Sequence, residues 1–328
     1  MSEPSAGGLR AEAPSSPPAI VVAIPCFNEA PSIERVVAAF RRELPAATIL
    51  VVDNHSSDET AARARAAGAE IISERKQGKG HAVRAVFQRV DADFYVLVDG
   101  DGTYEPASVH ALLAPVLAGE ADMAVGRRVA GDPRTAWRPM HVFGNGLVNR
   151  LIHTLFGARL TDIMSGYRAF SREVVRRTPL VSRGFEIETE LTVQALAADL
   201  VIVEQETPYY ARLPDSPSKL RTFRDGTRIL WTILSLFMAF KPLTFFGAIG
   251  LSAAATGLSL LRPVPRAGLL FVLGGLGLIL LGLVLTNINN RVMALMSLMT
   301  RGRLAERDNR CVVDPRAKDS TQQSAKRL

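Results

Sequence analysis

Tyr95-Val96-Leu97-Val98-Asp99-Gly100-Asp101-Gly102-Thr103-Tyr104 is the stretch whose reading decides the fold. A short apolar run, predicted to be a buried strand, stops at two carboxylates separated by one glycine. In an open α/β sheet the crevice beyond the carboxyl ends of the strands is where ligands sit, so Asp99 and Asp101 are expected to face a site. Two carboxylates at this spacing suit a hard divalent cation that keeps several waters and is shared with substrate phosphates. Asp and Gly are also common turn formers, so the stretch by itself equally fits a turn that closes a strand.

Working outward, Ala19 to Pro25 is a nearly continuous apolar run of the kind found in parallel strands buried on both faces. Cys26-Phe27-Asn28-Glu29 follows, then an amphipathic stretch over about residues 31–43. The pattern repeats with Ile49 to Asp53 ahead of Asn54-His55-Ser56-Ser57-Asp58-Glu59-Thr60, and with Glu70-Ile71-Ile72 ahead of Gly78-Lys79-Gly80. The carboxylate strand is fourth, Ala121 to Gly126 is fifth, and Leu200 to Glu204 is a late strand at the domain edge. Alternation at this spacing predicts an α/β fold, Rossmann-like, with a mainly parallel sheet wrapped by helices.

Asn28, Glu29, Asp53, Asp58, Lys79, Asp99, Asp101, Arg127 and Arg128 all follow strands or open helices, so this topology brings them to one sheet edge. Each alone has an ordinary explanation: Asp58 as an N-cap ahead of Thr60, Arg127 or Arg128 as a solvated charge. No Gly-x-Gly-x-x-Gly follows the first strand, and Lys79 lacks the upstream glycine of a phosphate-binding P-loop, which argues against dehydrogenases and P-loop NTPases.

The ordered set Ile24-Pro25-Cys26-Phe27-Asn28-Glu29, Val52 to Thr60, Gly78-Lys79-Gly80, Asp99-Gly100-Asp101 and Gly126-Arg127-Arg128 resembles a family 2 glycosyltransferase with the GT-A fold. Asp162-Ile163-Met164-Ser165-Gly166-Tyr167-Arg168 and Ser218-Lys219-Leu220 are similar to the branch that makes polyprenyl-phosphate sugars, such as dolichyl-phosphate mannose synthase. The resemblance implies that Pro25, Asn28, Glu29, Asp53, Asp58, Lys79 and Gly100 surround the nucleotide of a UDP- or GDP-sugar. It implies Mg²⁺ or Mn²⁺ held by Asp99 and Asp101, with Arg128 and Ser165 near the reacting groups. Arg127, Arg128, His141, Asn145, Arg212 and Lys219 would meet the phosphate of an undecaprenyl or dolichyl phosphate acceptor, with Lys219 on a segment that closes over the site. Two positions depart from the pattern: Thr103 stands where many relatives place a glutamine that completes the metal shell, and His141 where relatives often carry a phosphate-binding arginine.

The chemistry fits the residue types. Displacing a nucleoside diphosphate from a sugar builds negative charge on the leaving phosphate, which a metal and fixed cations stabilise. A lipid phosphate is already ionised at neutral pH and needs orientation rather than a general base. One displacement at the anomeric carbon inverts its configuration. The rival readings are a family 2 enzyme acting on another lipid or polysaccharide acceptor, and a catalytically silent membrane protein that binds nucleotide sugars. Processive synthases usually carry Gln-x-x-Arg-Trp, which this sequence lacks. Ser182 to Glu190 is expected to open a helix running to about Ala198, with Glu186 and Glu190 on one face, either approaching the sugar or simply favoured by the helix dipole.

The net charge of +7 is unevenly distributed: residues 1–213 carry 23 Lys/Arg against 26 Asp/Glu, while 214–241 are net +3 and 291–328 net +5. Basic clusters beside apolar spans point to an anionic membrane surface and away from nucleic acid. Arg221, Arg224 and Arg228 precede Ile229 to Phe237, which suits a helix lying at the headgroups. Pro242 to Leu261 and Ala267 to Thr286 are uncharged runs of 20 residues, each long enough to cross a hydrocarbon core of about 30 Å. The alternative for these runs is a pair of buried core helices. Gly274, Gly275 and Gly277 permit close helix approach, either in a homo-oligomer or within the hairpin. Cys26 and Cys311 form no disulfide framework, and no secretory signal precedes the first strand.

The expected organisation is a disordered leader over 1–18, a GT-A catalytic domain over 19–212, and a flexible acceptor loop with a juxtamembrane helix over 213–241. A transmembrane hairpin over 242–287 and a basic tail over 288–328 complete it. With more Lys/Arg at the outer ends than in the connection, the domain and both termini are expected on the cytoplasmic side of the inner membrane.

Overall fold

A computed structural model of the chain describes residues 17–131, 139–212 and 222–311. The apolar runs form strands β1 (Ile20–Cys26), β2 (Thr48–Asp53), β3 (Glu70–Ser73), β4 (Phe94–Leu97), β5 (Met123–Ala130), β6 (Arg168–Ser171) and β7 (Ile202–Tyr209). They build one sheet in the order β3-β2-β1-β4-β6-β5-β7. All neighbours are parallel except β6, which runs antiparallel to β4 and β5. Cys26 lies opposite Asp53 and Ala23 opposite Leu97, a register that delivers the loops after β1, β2 and β4 to the same edge.

Strand β6 is the element that the apolar pattern did not predict. Arg168-Ala169-Phe170-Ser171 is too short and too polar for periodicity to speak, and only its insertion between β4 and β5 makes it a strand. Strands β5 and β7 each run several residues beyond the expected ends, because they pair as far as Ala130 opposite Tyr209.

The helices of this part are α1 (Ile33–Glu43), α2 (Thr60–Ala66), α3 (Lys79–Arg89), α4 (Val109–Leu117), α5 (Pro139–Phe156), α6 (Arg172–Arg177) and α7 (Ile187–Ala197). Strand alternation divides the core. Val21 and Ala23 join Val83 and Val86 of α3 and Leu191 of α7 on one face, while Val22 and Ile24 join Val36 and Phe40 of α1 and Leu112 of α4 on the other. Helix α7 starts later than expected, at Ile187, and residues Ile187 to Ala195 are all buried. Such a helix, covered on every side, presents no sequence periodicity.

The chain divides into two compact units, Met1–Ile233 and Leu234–Leu328, and helix α8 (Thr222–Phe240) begins in the first and ends in the second. The second unit contains α9 (Pro242–Leu260) and α10 (Pro265–Cys311). Both are long and apolar enough to cross a membrane, with mean hydropathy 1.6 over Pro242–Leu260 and 2.7 over Pro265–Val292. They pack through glycine: a Cβ on Gly257 would lie 2.7 Å from Gly268 O, and one on Gly250 would lie 2.9 Å from Ile279 Cγ1. Gly275 meets α9, whereas Gly274 and Gly277 face open space. Helix α10 runs well past the uncharged stretch that ends at Thr286 and continues to Cys311, into the segment expected as a basic tail. No proline interrupts its hydrogen-bond ladder.

Candidate active site

A cleft of about 1270 Å³ opens where β1 and β4 end, lined by Pro25, Glu29, Lys79, Asp99, Gly100, Asp101 and Arg212 among the residues expected there. Glycines bring the walls together. Gly78 takes φ +133°, a backbone conformation closed to ordinary L side chains, and its N–H donates to Asn54 Oδ1 at 2.6 Å, which aims the start of α3 into the cleft. A Cβ on Gly166 would lie 2.7 Å from Asp99 Oδ2 and 2.9 Å from Lys79 Nζ, so a larger residue here would have to displace the Asp99–Lys79 pair.

The two carboxylates carry different environments. Lys79 Nζ is ion-paired with both Asp99 Oδ1 and Glu188 Oε1. Asp101 Oδ1 accepts from Thr103 N at 3.1 Å and Thr103 Oγ1 at 2.7 Å, while its Oδ2 faces Arg212 Nη2 at 2.6 Å as an ion pair without hydrogen-bond alignment. Burial pushes the Asp99 carboxyl up, but the Lys79 ammonium and then Arg212 and Arg128 outweigh it and hold Asp99 below the usual carboxylate range. Burial and the Asp99 charge push Asp101 up, against the pull of Arg212 and Thr103. Burial opposes the Lys79 charge, yet Asp99 and Glu188 together raise it well above an ordinary lysine. Glu188 is raised by burial, then by Asp99, against Lys79.

These residues fit a hard divalent cation. Asp101 Oδ2 is buried, accepts no hydrogen bond and already faces a positive charge, and both donors are carboxylate oxygens. No group of three or more Asp, Glu, His or Cys able to hold a metal gathers among the described residues. Thr103, fully buried, orients Asp101 through its hydroxyl and its amide.

Other expected residues frame the cleft or lie elsewhere. Asn28, at φ +53°, accepts from Ser57 N at 2.8 Å and donates its own N–H to Ser56 Oγ at 3.0 Å, tying the loop after β1 to the loop after β2. Asp53 caps that second loop by accepting from Ser56 N at 3.2 Å. Asp58 accepts from the Thr60 hydroxyl, from Thr60 N at 3.0 Å and from Ala30 N at 3.2 Å. Burial raises its pKa, but these bonds outweigh it, and the carboxyl stands below the ordinary value. Asp58 is thus a clamp between loops, and Asn28, Asp53 and Asp58 alike are not among the residues lining the cleft.

Arg127 and Arg128 do not line the cleft either. Arg127 pairs with Glu206. Arg128 grips Asp162 in a two-pronged pair, Nε to Oδ2 and Nη2 to Oδ1 both at 2.7 Å, and lies 5.5 Å from the centre of the Tyr209 ring. Asn145 Nδ2 donates to the same Asp162 at 3.3 Å. Ser165 is wholly buried, its Oγ 3.3 Å from Tyr104 Oη. Lys219 and the side chain of His141 lie outside the described residues.

Three features escaped the sequence reading. Glu188 sits in the same acidic run as Glu186 and Glu190, yet it alone reaches Lys79. Glu190 instead accepts from Val181 N at 2.9 Å and Ser182 N at 2.7 Å, holding the loop before α7, and Glu186 accepts from Arg183 N and Gly184 N, both at 3.0 Å. Arg168, wholly buried and pushed down to about 10 by that burial, donates to Ser165 O at 2.9 Å and Thr192 Oγ1 at 2.7 Å, fastening the 162–165 loop to α7. Arg224, Arg228 and Trp231, on the face of α8 toward the cleft, complete its lining. Only the last group had a signal, the basic spacing ahead of an aromatic residue.

The signature described as Glycosyl transferase family 2 matches residues 21–178. Glycosyltransferase AglJ of Haloferax volcanii is 36% identical over 246 residues, 75% of this chain and 80% of the relative. The chain belongs to glycosyl transferase family 2. An undecaprenyl-phosphate mannosyltransferase of Micrococcus luteus is 31% identical over 209 residues, 59% of this chain and 84% of that protein. Among solved structures, the glucosyl-3-phosphoglycerate synthase of Mycobacterium tuberculosis in complex with Mn²⁺ and UDP-glucose matches with TM-score 0.56 at 23% identity, covering 67% of this chain and 79% of that one. The catalytic unit of this glycosyltransferase therefore has the GT-A fold, and Asp99 and Asp101 follow its fourth strand in sequence order.

Proposed function

We propose that this glycosyltransferase moves one sugar from a UDP- or GDP-sugar to a polyprenyl phosphate, with inversion at the anomeric carbon, at the cytoplasmic face of the inner membrane. The observation that carries the reading is the Asp99–Asp101 pair in a cleft that Arg212, Arg224, Arg228 and Trp231 also line, with Asp225 beside Arg228. A cleft lined by a carboxylate pair, several arginines and an indole suits a metal-bound diphosphate and an anionic acceptor with an apolar tail. The similarity to an undecaprenyl-phosphate mannosyltransferase supports that acceptor class.

In this reading Asp99 and Asp101 hold Mg²⁺ or Mn²⁺, which supplies Lewis-acid stabilisation of the leaving diphosphate. Asp53 and the loops tied by Asn28 hold the base and ribose. Lys79 and Arg212 turn toward phosphate oxygens, and the α8 arginines orient the acceptor phosphate. That phosphate attacks as an anion already formed, so no side chain has to remove a proton. The two apolar helices keep the unit at the membrane where the acceptor is dissolved.

The test is a screen of detergent-solubilised full-length chain against radiolabelled UDP- and GDP-sugars with undecaprenyl and dolichyl phosphate. Label entering a mild-acid-labile lipid is the expected result. Label that enters only an acid-stable lipid or a polymer would overturn the acceptor assignment, and no transfer from any donor would overturn the catalytic one.

A further inference from the structure

Glu188 is not among the residues lining the cleft, yet it holds the lysine that holds Asp99. We propose that Lys79 is the resident counter-ion of Asp99, and that Glu188 is a positioning residue which retains Lys79 when Asp99 turns to a divalent cation. The inference rests on the metal reading given under Proposed function.

Three observations carry it. The side chains of Glu188, Lys79 and Asp99 are 4%, 10% and 26% exposed, so the triad is graded from the interior toward the cleft. The partner able to change is the outer one, Asp99. Second, Glu188 is fixed in place. It lies on a helix buried on all sides, its carbonyl accepts from Thr192 Oγ1 at 2.9 Å, and Glu190 on the same helix fastens the preceding loop. Third, Lys79 opens α3, and the next residue, Gly80, donates its N–H to Arg183 O at 3.1 Å, so the start of α3 is joined to the loop that leads into α7.

An ammonium has three donors. Released from Asp99 alone, Lys79 would be a buried charge without a partner, a costly state. With Glu188 it keeps one strong pair and gains free donors directed at the cleft, where a diphosphate can take them. Entry of a cation alone therefore works against the Lys79–Asp99 pair, whereas a nucleoside diphosphate offers Lys79 a replacement. The cation and the nucleotide should bind with positive coupling that runs through this lysine.

The experiment is Mn²⁺ binding to the full-length solubilised chain, read by electron paramagnetic resonance of free Mn²⁺, first alone and then with saturating UDP or GDP, whichever binds. Glu188→Gln leaves Lys79 with Asp99 as its one carboxylate, so it should weaken binding of Mn²⁺ alone by roughly tenfold, but by less than about threefold with nucleotide present. Loss by the same factor in both states would mean that Glu188 acts as a remote charge, and would overturn the inference. Lys79→Gln should bind Mn²⁺ alone at least as tightly as the parent while losing nucleotide affinity. Weaker Mn²⁺ binding by this variant, with an unchanged melting curve, would overturn it too. If Glu188→Gln does not fold, Glu188→Asp draws the carboxylate back from Lys79 and should show the same pattern in smaller measure. A parent chain that binds no Mn²⁺ even with nucleotide would remove the metal reading itself, which distinguishes that failure from a parent that binds Mn²⁺ but shows equal factors.

Discussion

The two halves of the sheet edge use the same kinds of side chain to opposite ends. Beyond β1 and β4, carboxylates and cations meet across an open cleft: Asp99 with Lys79, Asp101 with Arg212. On β5 and β7 themselves they close on one another, Arg128 with Asp162 and Arg127 with Glu206. The difference lies in what each pair can exchange. A cleft-facing pair can trade its partner for a substrate group, whereas a two-pronged pair that is itself held by Asn145 and backbone has every acceptor engaged by the chain. Charge at a strand end thus marks a site only where an opening lies beside it.

The comparison can be broken most sharply at Asp101. Asp101→Ala should lower sugar transfer by at least about a hundredfold while the melting curve stays cooperative, and EDTA should do the same to the parent chain. Undiminished transfer in EDTA would sink the open half as a metal site. Arg128→Ala is next, with the effect on stability first. It strands Asp162, whose side chain is 5% exposed, and should cost about 3 kcal/mol in denaturant unfolding, part of which Asp162→Asn in the same chain restores. If instead Arg128→Ala unfolds like the parent and only acceptor affinity falls, the closed half is not closed. Asp53→Ala should weaken nucleotide binding roughly tenfold by calorimetry with little change in stability, since among the described residues its carboxylate accepts a single hydrogen bond, a loop cap. Arg127→Ala should be nearly silent, within about 0.5 kcal/mol in stability and about twofold in transfer, because its pair with Glu206 is exposed.

Much of the fold could be read along the chain because its signals are local. Uninterrupted apolar runs marked β1, β2 and β4, their abrupt ends marked Asp53 and Asp99, and two uncharged stretches marked α9 and α10. The strand ends drew attention equally to Asp58, Arg127 and Arg128, and nothing in the sequence separates a residue that lines the cleft from one that clamps a loop. Ser165 reads as a site residue through its motif, but it is buried against Tyr104. In the Glu186 to Glu190 run, three carboxylates of one type take three different tasks within five residues.

By itself the sequence determined the alternating α/β architecture, the carboxylate pair at the end of a buried strand, and two helices apolar enough for a membrane. Those features follow from side-chain periodicity, turn chemistry and hydropathy, which act between near neighbours in the chain. Tertiary structure alone decided that β6 enters the sheet in reverse, that Glu188 and not Glu186 or Glu190 reaches Lys79, and which arginines line the cleft. Partner choice among charged groups depends on distances of a few ångströms between segments remote in sequence, and on the burial that makes an unpaired charge costly, and packing fixes both.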